Sequence, residues 1–395
     1  MVTGVDLVEQ MLRVSANQHF NEHDLSSTIL PESLLVAQQE NTTEGVVPYK
    51  GWALEARVYA EDPVRNFLPS TGPLLKYEEP STEAISNAIG NDSEHNITVR
   101  VDSGVCAGSN ISMHYDPMIS KLVTYAENPT KPNDIGARTK CIEAMVHALH
   151  RYVISGVQHN AIFIRHLLGD ESYSASGAFA RGETPTSFID THYPDGFQAI
   201  DLLRANDTDV LSESLAAMAV SSVMISSLKD QESVVSSDDA SVVVLGGFFG
   251  TPLEVKFDGG SSLSTHIPES ATVTAINTPA RCTVTMSIDD VIHDPLSRSA
   301  ITEFKLNGKL YVMQFHDESS DGTMTLQMNA TGMLDVVVRS TREHELAGYM
   351  KEPPAIDTSS MLLSPMPGKL VGLAVEVCQH FVLLWTPTKA RFTLY

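Results

Sequence analysis

Gly51-Trp52-Ala53-Leu54-Glu55-Ala56-Arg57-Val58-Tyr59-Ala60-Glu61-Asp62-Pro63, running on through Phe67-Leu68-Pro69-Ser70-Thr71-Gly72, is the stretch that organises the chain. Its apolar residues fall at every second position. Trp52, Leu54, Ala56, Val58 and Ala60 point one way and Glu55, Arg57, Tyr59 and Glu61 the other, which predicts a strand with one buried face. On the polar side Arg57 is expected between Glu55 and Glu61. A guanidinium held like that stays charged and offers a planar fork of donors to an anion. Satisfied by salt bridges alone, it would be an ordinary strand arginine. Asp62-Pro63 predicts a turn that ends the strand.

Outward from that strand, 395 residues leave room for two or three domains. The net charge is -23, with 49 acidic against 26 basic residues, which weighs against nucleic acid or an anionic membrane as a partner. No apolar run approaches the roughly 18 residues of a membrane span. The cysteines (Cys106, Cys141, Cys282, Cys378) form no C-x-x-C, so neither a disulfide framework nor a cysteine zinc site is expected, and a reducing compartment is. His19 and His23 have i, i+4 spacing but no third ligand in view, so no metal site is assigned. There is no G-x-x-x-x-G-K-[S/T] phosphate loop and no local signature of a serine or cysteine nucleophile.

Residues 1–14 predict a short amphipathic helix capped by Asp6, with Leu7, Met11 and Val14 on one face, and they resemble neither a signal nor a transit peptide. Residues 15–50 read as a polar connection. After the organising strand, residues 74–78 predict another strand and 81–96 a polar insertion. Strands follow over 97–125, broken by turns at Gly104–Ser109 and at Asp116-Pro117, where Asp116 is read as a turn-stabilising carboxylate. A helix capped by Asp134 is expected to run to Gly156, and a second to cover Asn160–Leu168. Beyond the turn-rich Tyr193-Pro194-Asp195-Gly196-Phe197, Val210–Leu228 is apolar or small almost all round, the pattern of a helix buried on most sides. Short β segments then fill Val242–Arg339. Asn307-Gly308 marks the clearest hairpin, because both residues tolerate the positive φ of a type I′ turn. Antiparallel strands after one apolar helix predict a small barrel or curled sheet packed around that helix. Residues 348–360 read as a linker.

Several blocks now carry a resemblance. Gly51–Gly72, Val99–Gly104, Tyr115–Leu122, Gly156–Asn160 and Ser364–Gly368, in that order, resemble the α subunits of biotin-dependent acyl-CoA carboxylases, and Tyr193–Phe197 resembles the propionyl-CoA type. The resemblance implies an α+β fold in three parts. Residues 1–190 would be a biotin carboxylase C-terminal subdomain, preceded by the trailing helix of an ATP-grasp core. Residues 195–350 would be an antiparallel barrel-like domain around a central helix that docks the carboxyltransferase β subunit. Residues 361–395 would open a truncated biotinyl carrier domain with a divergent tail.

The implied reaction is ATP- and bicarbonate-dependent carboxylation of biotin, followed by carboxyl transfer to propionyl-CoA on the β subunit. Biotin, ATP and Mg2+ are the family's cofactors, the β subunit and other α chains its partners, and the mitochondrial matrix its place. Arg57 matches the arginine that faces the reacting biotin. The resemblance begins only at the end of the ATP-grasp core, so its glycine-rich loop, magnesium carboxylates and Glu-x-Asn-x-Arg segment find no counterpart. No Ala-Met-Lys-Met occurs either, and Lys369 and Lys389 are the lysines after Pro367. The expectation is a chain that does not activate bicarbonate or carry biotin by itself. The alternative is a catalytically inactive chain that serves only in docking or oligomerisation.

Overall fold

The organising stretch forms β1 (Trp52–Tyr59), and its even-numbered residues turn inward as the alternation requires. The structure, a computed structural model, describes residues 50–89, 94–112, 116–131, 134–169, 178–197, 213–229, 240–245, 252–258, 268–276, 283–292, 300–329 and 332–350, with single positions before residue 16. The helix expected over 1–14 lies largely outside them, although the Val8 N–H donates to Asp6 Oδ1 at 3.0 Å. The segments 16–49 and 351–395 lie outside as well, and with them His19, His23, Lys369 and Lys389.

β1, β2 (Asn96–Ser103) and β3 (Met118–Glu127) make a three-stranded antiparallel sheet in the order β1-β3-β2. One face is covered by helices α1 (Thr82–Ile89) and α2 (Ile135–His150). Val58, Leu122, Ile119, Ile85 and Met145 meet in that core, each essentially solvent-free. Full burial of such a side chain contributes about 1.5–3 kcal/mol.

α1 corrects the polar insertion expected over 81–96. Ile85 and Ile89 share one helical face, and the Ser81 hydroxyl accepts the Ala84 N–H at 3.2 Å. Two isoleucines four residues apart were the signal, hidden among polar neighbours. α1 also closes a sheet edge, because Thr82 Oγ1 accepts the Val99 N–H and donates to the Val99 carbonyl.

Asp134 caps α2 as expected, its carboxylate accepting the Gly136 N–H at 3.1 Å. It also meets His95 Nε2 at 2.9 Å, and its carbonyl accepts Trp52 Nε1–H at 3.1 Å, tying the helix start to β1. The helix does not run to Gly156. It stops at His150, and Val153–Ser155 instead pairs as a strand with Lys76–Glu78. Tyr152, Val153 and Ile154 are buried there, so their apolar character served a strand although their spacing matched a helix. α3 (Ala161–Gly169), α4 (Ala178–Arg181) and α5 (Phe188–His192) complete this part.

The second part is built around α6 (Glu213–Lys229), whose residues 216–225 are all buried, serines included. Eight strands surround it: β4 (Ser241–Leu245), β5 (Leu253–Asp258), β6 (Ser270–Ala275), β7 (Thr283–Ile292), β8 (Ile301–Leu306), β9 (Lys309–Glu318), β10 (Met324–Met328) and β11 (Met333–Ser340). Each pairs antiparallel with the next, and β11 returns to pair with β4, so the ring is a closed barrel. Met218, Val223 and Met224 of α6 share one core with Val243, Phe304, Leu326 and Val336 of the strands. The β8–β9 turn has Asn307 at φ 50° and Gly308 at φ 71°, the left-handed pair that its sequence requires. A last helix, α7 (Thr341–Ala347), opens with a reciprocal Ser340–Glu343 capping box, between the β segments read up to Arg339 and the linker read from 348.

The two parts meet through polar groups that are themselves buried. Arg151 ion-pairs with Glu303 of β8 at 2.7 Å. Gln314 of β9 donates from Nε2 to the carbonyls of His150 and Tyr152 at 2.8 and 3.2 Å. Lys76 donates to the Phe315 carbonyl at 3.2 Å. The rings of His150, His159 and His316 are buried around these contacts.

Candidate functional site

The polar face of β1 forms one lip of a cavity of about 460 Å3. Arg57 stands on that lip with its side chain 59% exposed, and its Nε donates to Glu55 Oε1 at 3.1 Å. Strand register sets Lys121 of β3 directly opposite Arg57, with Asp102 of β2 next in the row. Two cations facing each other across a ladder disfavour one another unless an anion lies between or above them.

The far wall is apolar. Phe163, Ile164 and Leu167 of α3 face Arg57 across the space, with Phe179 of α4 and Ile189 of α5 beside them. The turn after β1 supplies Phe67. Asp62, almost fully buried, accepts the Val64 N–H at 3.0 Å and the Arg65 Nε–H at 2.7 Å, which tightens the chain into a single 3-10 turn. Asn66 and Phe67 then both take left-handed backbone, at φ 53° and 59°. That conformation is costly for a bulky residue and persists where the surroundings hold it. Here the Phe67 ring packs edge-on against Phe163, their centroids 4.9 Å apart.

The Tyr193–Phe197 block folds back onto the same turn. Gly196 has φ 83°, and a Cβ there would lie 2.7 Å from the Val64 carbonyl, so only glycine fits. The Phe197 N–H donates to the Pro63 carbonyl at 2.8 Å, and its ring joins Phe163, His166 and Tyr193 behind the cavity wall.

The electrostatics refine the sequence expectation. Glu55 and then the Tyr59 phenol raise the Arg57 pKa above its ordinary value, so the group is charged at any physiological pH. Glu61 is not its second partner. Partial burial, followed by the Asp116 carboxylate, pushes the Glu61 pKa up instead. Glu61 lies beyond the β1 ladder in a separate two-residue strand, and that break takes it away from the Arg57 side chain. Asp116 is exposed and precedes Pro117 at the entry to β3. Lys121, Asn160 and Phe163 were not singled out from sequence. Lys121 and Asn160 lie within the quoted blocks, but only strand register and a contact across about a hundred residues reveal their place.

Comparison with known proteins agrees with this architecture. The family described as biotin carboxylase C-terminal domain matches residues 55–191, the part that holds β1, the cavity and Arg57. The propionyl-CoA carboxylase alpha chain of Ruegeria pomeroyi is 33% identical over 392 residues, covering 96% of this chain and 49% of that protein. The mitochondrial propionyl-CoA carboxylase alpha chain of Mus musculus is 31% identical over 380 residues, covering 95% of this chain and 43% of its own length. The mitochondrial methylcrotonoyl-CoA carboxylase subunit alpha of Mus musculus is 33% identical over 195 residues, or 49% of this chain and 20% of that protein. The chain thus spans about half the length of the propionyl-CoA carboxylase relatives it matches. These relatives are biotin-dependent carboxylases, which are ligases. No described helix is long and apolar enough to cross a membrane.

Proposed function

We propose that this chain is the part of a propionyl-CoA-type biotin-dependent carboxylase that places Arg57 against the reacting biotin and docks the carboxyltransferase β subunit through its barrel. The observation that carries the reading is Arg57 itself, an exposed and permanently charged fork of donors on the polar lip of a cavity whose far wall is apolar. Bound biotin supplies a ureido nitrogen that accepts and releases the carboxyl group. Arg57 stabilises the negative charge that gathers on the ureido oxygen, and a cation already in place does so without reorganising. Phe163 and Leu167 suit the apolar edge of the same ring system. No residue is assigned to ATP or Mg2+, because no group of three or more His, Cys, Asp or Glu converges among the described residues.

In this reading residues 1–190 belong to the carboxylase part, 195–350 form the docking domain and 361–395 open the carrier. ATP, Mg2+ and bicarbonate are used by the holoenzyme, which sits in the mitochondrial matrix. The propionyl-CoA type is favoured because the match to those relatives runs through the barrel, whereas the methylcrotonoyl match covers half of the chain.

The test uses the native enzyme. Biotin-dependent ATP cleavage and propionyl-CoA carboxylation are measured beside capture of the β subunit, with and without Arg57→Ala. Loss of carboxylation with β-subunit binding retained supports the reading. Binding of the β subunit with no biotin-dependent turnover in either form leaves only the docking role. Full carboxylation by the Arg57→Ala enzyme would sink the catalytic assignment.

A further inference from the structure

One edge of β1 pairs with β3, and among the described residues the other has no strand beside it. That second edge is held by Asn160. The Tyr59 N–H donates to Asn160 Oδ1 at 2.9 Å, Asn160 Nδ2 donates to the Arg57 carbonyl at 3.3 Å, and the Asn160 N–H donates to the Tyr59 carbonyl at 3.1 Å. A carboxamide carries the same donor and acceptor as a peptide group, so this side chain continues the ladder where a strand would otherwise run. The bonds fall on the backbone of Arg57 and Tyr59, the two residues whose side chains line the cavity on either side of Val58.

Asn160 also starts α3. Its carbonyl accepts the Ile164 N–H at 3.0 Å, while its side chain turns to β1. Capping α3 would require no contact with Arg57. The same residue therefore joins the strand that bears the cation to the helix that bears Phe163 and Ile164. We propose that Asn160 is a positioning residue, which fixes the distance and orientation of the Arg57 guanidinium relative to the apolar wall. The proposal rests on the assignment of Arg57 given above. It adds that the reaction depends on how the β1 edge is held as well as on the charge it carries.

The test pairs kinetics with amide exchange in the native enzyme. Asn160→Ala is expected to lower kcat for biotin-dependent turnover by about tenfold to a hundredfold, the scale for misplacing a catalytic group by an ångström, with KM for ATP unchanged. The Tyr59 amide, having lost its acceptor, should exchange roughly tenfold faster. Asn160→Asp keeps that acceptor and loses the donor to the Arg57 carbonyl. It should restore slow Tyr59 exchange and recover part of kcat, and it serves in place of the alanine variant if that one does not fold. A shift of KM for ATP equal to the loss in kcat, or a kcat loss with Tyr59 exchange unchanged, overturns the positioning role. Normal kcat in both Asn160 variants beside an inactive Arg57→Ala enzyme overturns it while leaving the Arg57 assignment standing. An active Arg57→Ala enzyme overturns both.

Discussion

Arg57 and Arg151 each meet a glutamate at close range, at 3.1 Å from Glu55 and 2.7 Å from Glu303, yet water treats the two pairs in opposite ways. Arg57 keeps most of its side chain in solvent, and its neighbours raise its pKa. Arg151 is sealed between the two parts of the molecule, and burial lowers its pKa despite the pull of Glu303. A solvated guanidinium has donors to spare for an incoming anion. A sealed one is shut off from any incoming anion, with its Nε donating to Glu303 and its Nη1 to the His147 carbonyl, and its task is to hold the two parts together. Identical chemistry thus leaves an arginine open to an anion at one place and makes a rivet at the other, and solvent access decides which.

The widest gap should appear when each arginine loses its carboxylate. Glu303→Ala leaves Arg151 buried and unpaired, and denaturant unfolding should show a loss of about 3–5 kcal/mol. Replacing the pair together, Arg151→Met with Glu303→Leu, should return the midpoint close to the original, because an apolar pair of similar volume needs no desolvation. If the single and double changes cost the same, the rivet reading is wrong.

Next in size is the reverse change. Arg57→Ala should leave the unfolding midpoint in place while biotin-dependent kcat falls by about 10²–10³, the cost of one preorganised donor. A comparable fall for an Arg151 change at unaltered stability would erase the contrast.

Acidity probes the buried side alone. Burial depresses His147, His159 and His316 to about 4 from the ordinary 6.5. Cations add to the effect: Arg151, Arg165 and Lys140 near His147, with Glu143 opposing them, Lys76 near His316, and the His316 ring near His159. Above pH 6.5 the folded and unfolded chains both carry these rings neutral, and the joint contributes in full. Between 6.5 and 4 only the unfolded chain takes up the protons, so stability should fall as pH drops, by about 1–3 kcal/mol over that window. Unfolding midpoints at pH 7.5, 6 and 5 measure it, and His316→Asn should flatten the slope. A midpoint constant from 7.5 to 5 contradicts the account.

The smallest effect belongs to the exposed pair. Glu55→Ala should leave the midpoint unchanged within measurement, as an exposed ion pair contributes little.

Much of both parts was legible where the signals are local. Period-two alternation in β1, the Asp134 cap, the Asn307-Gly308 turn and the uniformly apolar α6 each declare themselves within a dozen residues. What escaped depends on distance or on competition. Tyr152 and Val153 match a helical stripe, but Val153 pairs in a strand with Glu78 and the Tyr152 hydroxyl bonds that of Tyr77, both far upstream. Glu61 shares the parity of Arg57, yet the chain has already left the ladder there. Barrel closure needs β4 to find β11 nearly a hundred residues on, and no local pattern announces such a match. Asn160 is the extreme case, a single amide fastening a strand that lies a hundred residues before it.

The edge bonds of Asn160 and Thr82 have a further consequence for how this chain behaves in a crowded compartment. Exposed strand edges are the templates on which β-rich proteins aggregate. The barrel has no edge, since its first and last strands pair. The three-stranded sheet has two, and each carries a side chain bonded to outward peptide groups, Thr82 at the middle of β2 and Asn160 at the C-terminal end of β1. The two residues that hold the sheet in shape therefore also interrupt the open ladder that it would offer to another copy.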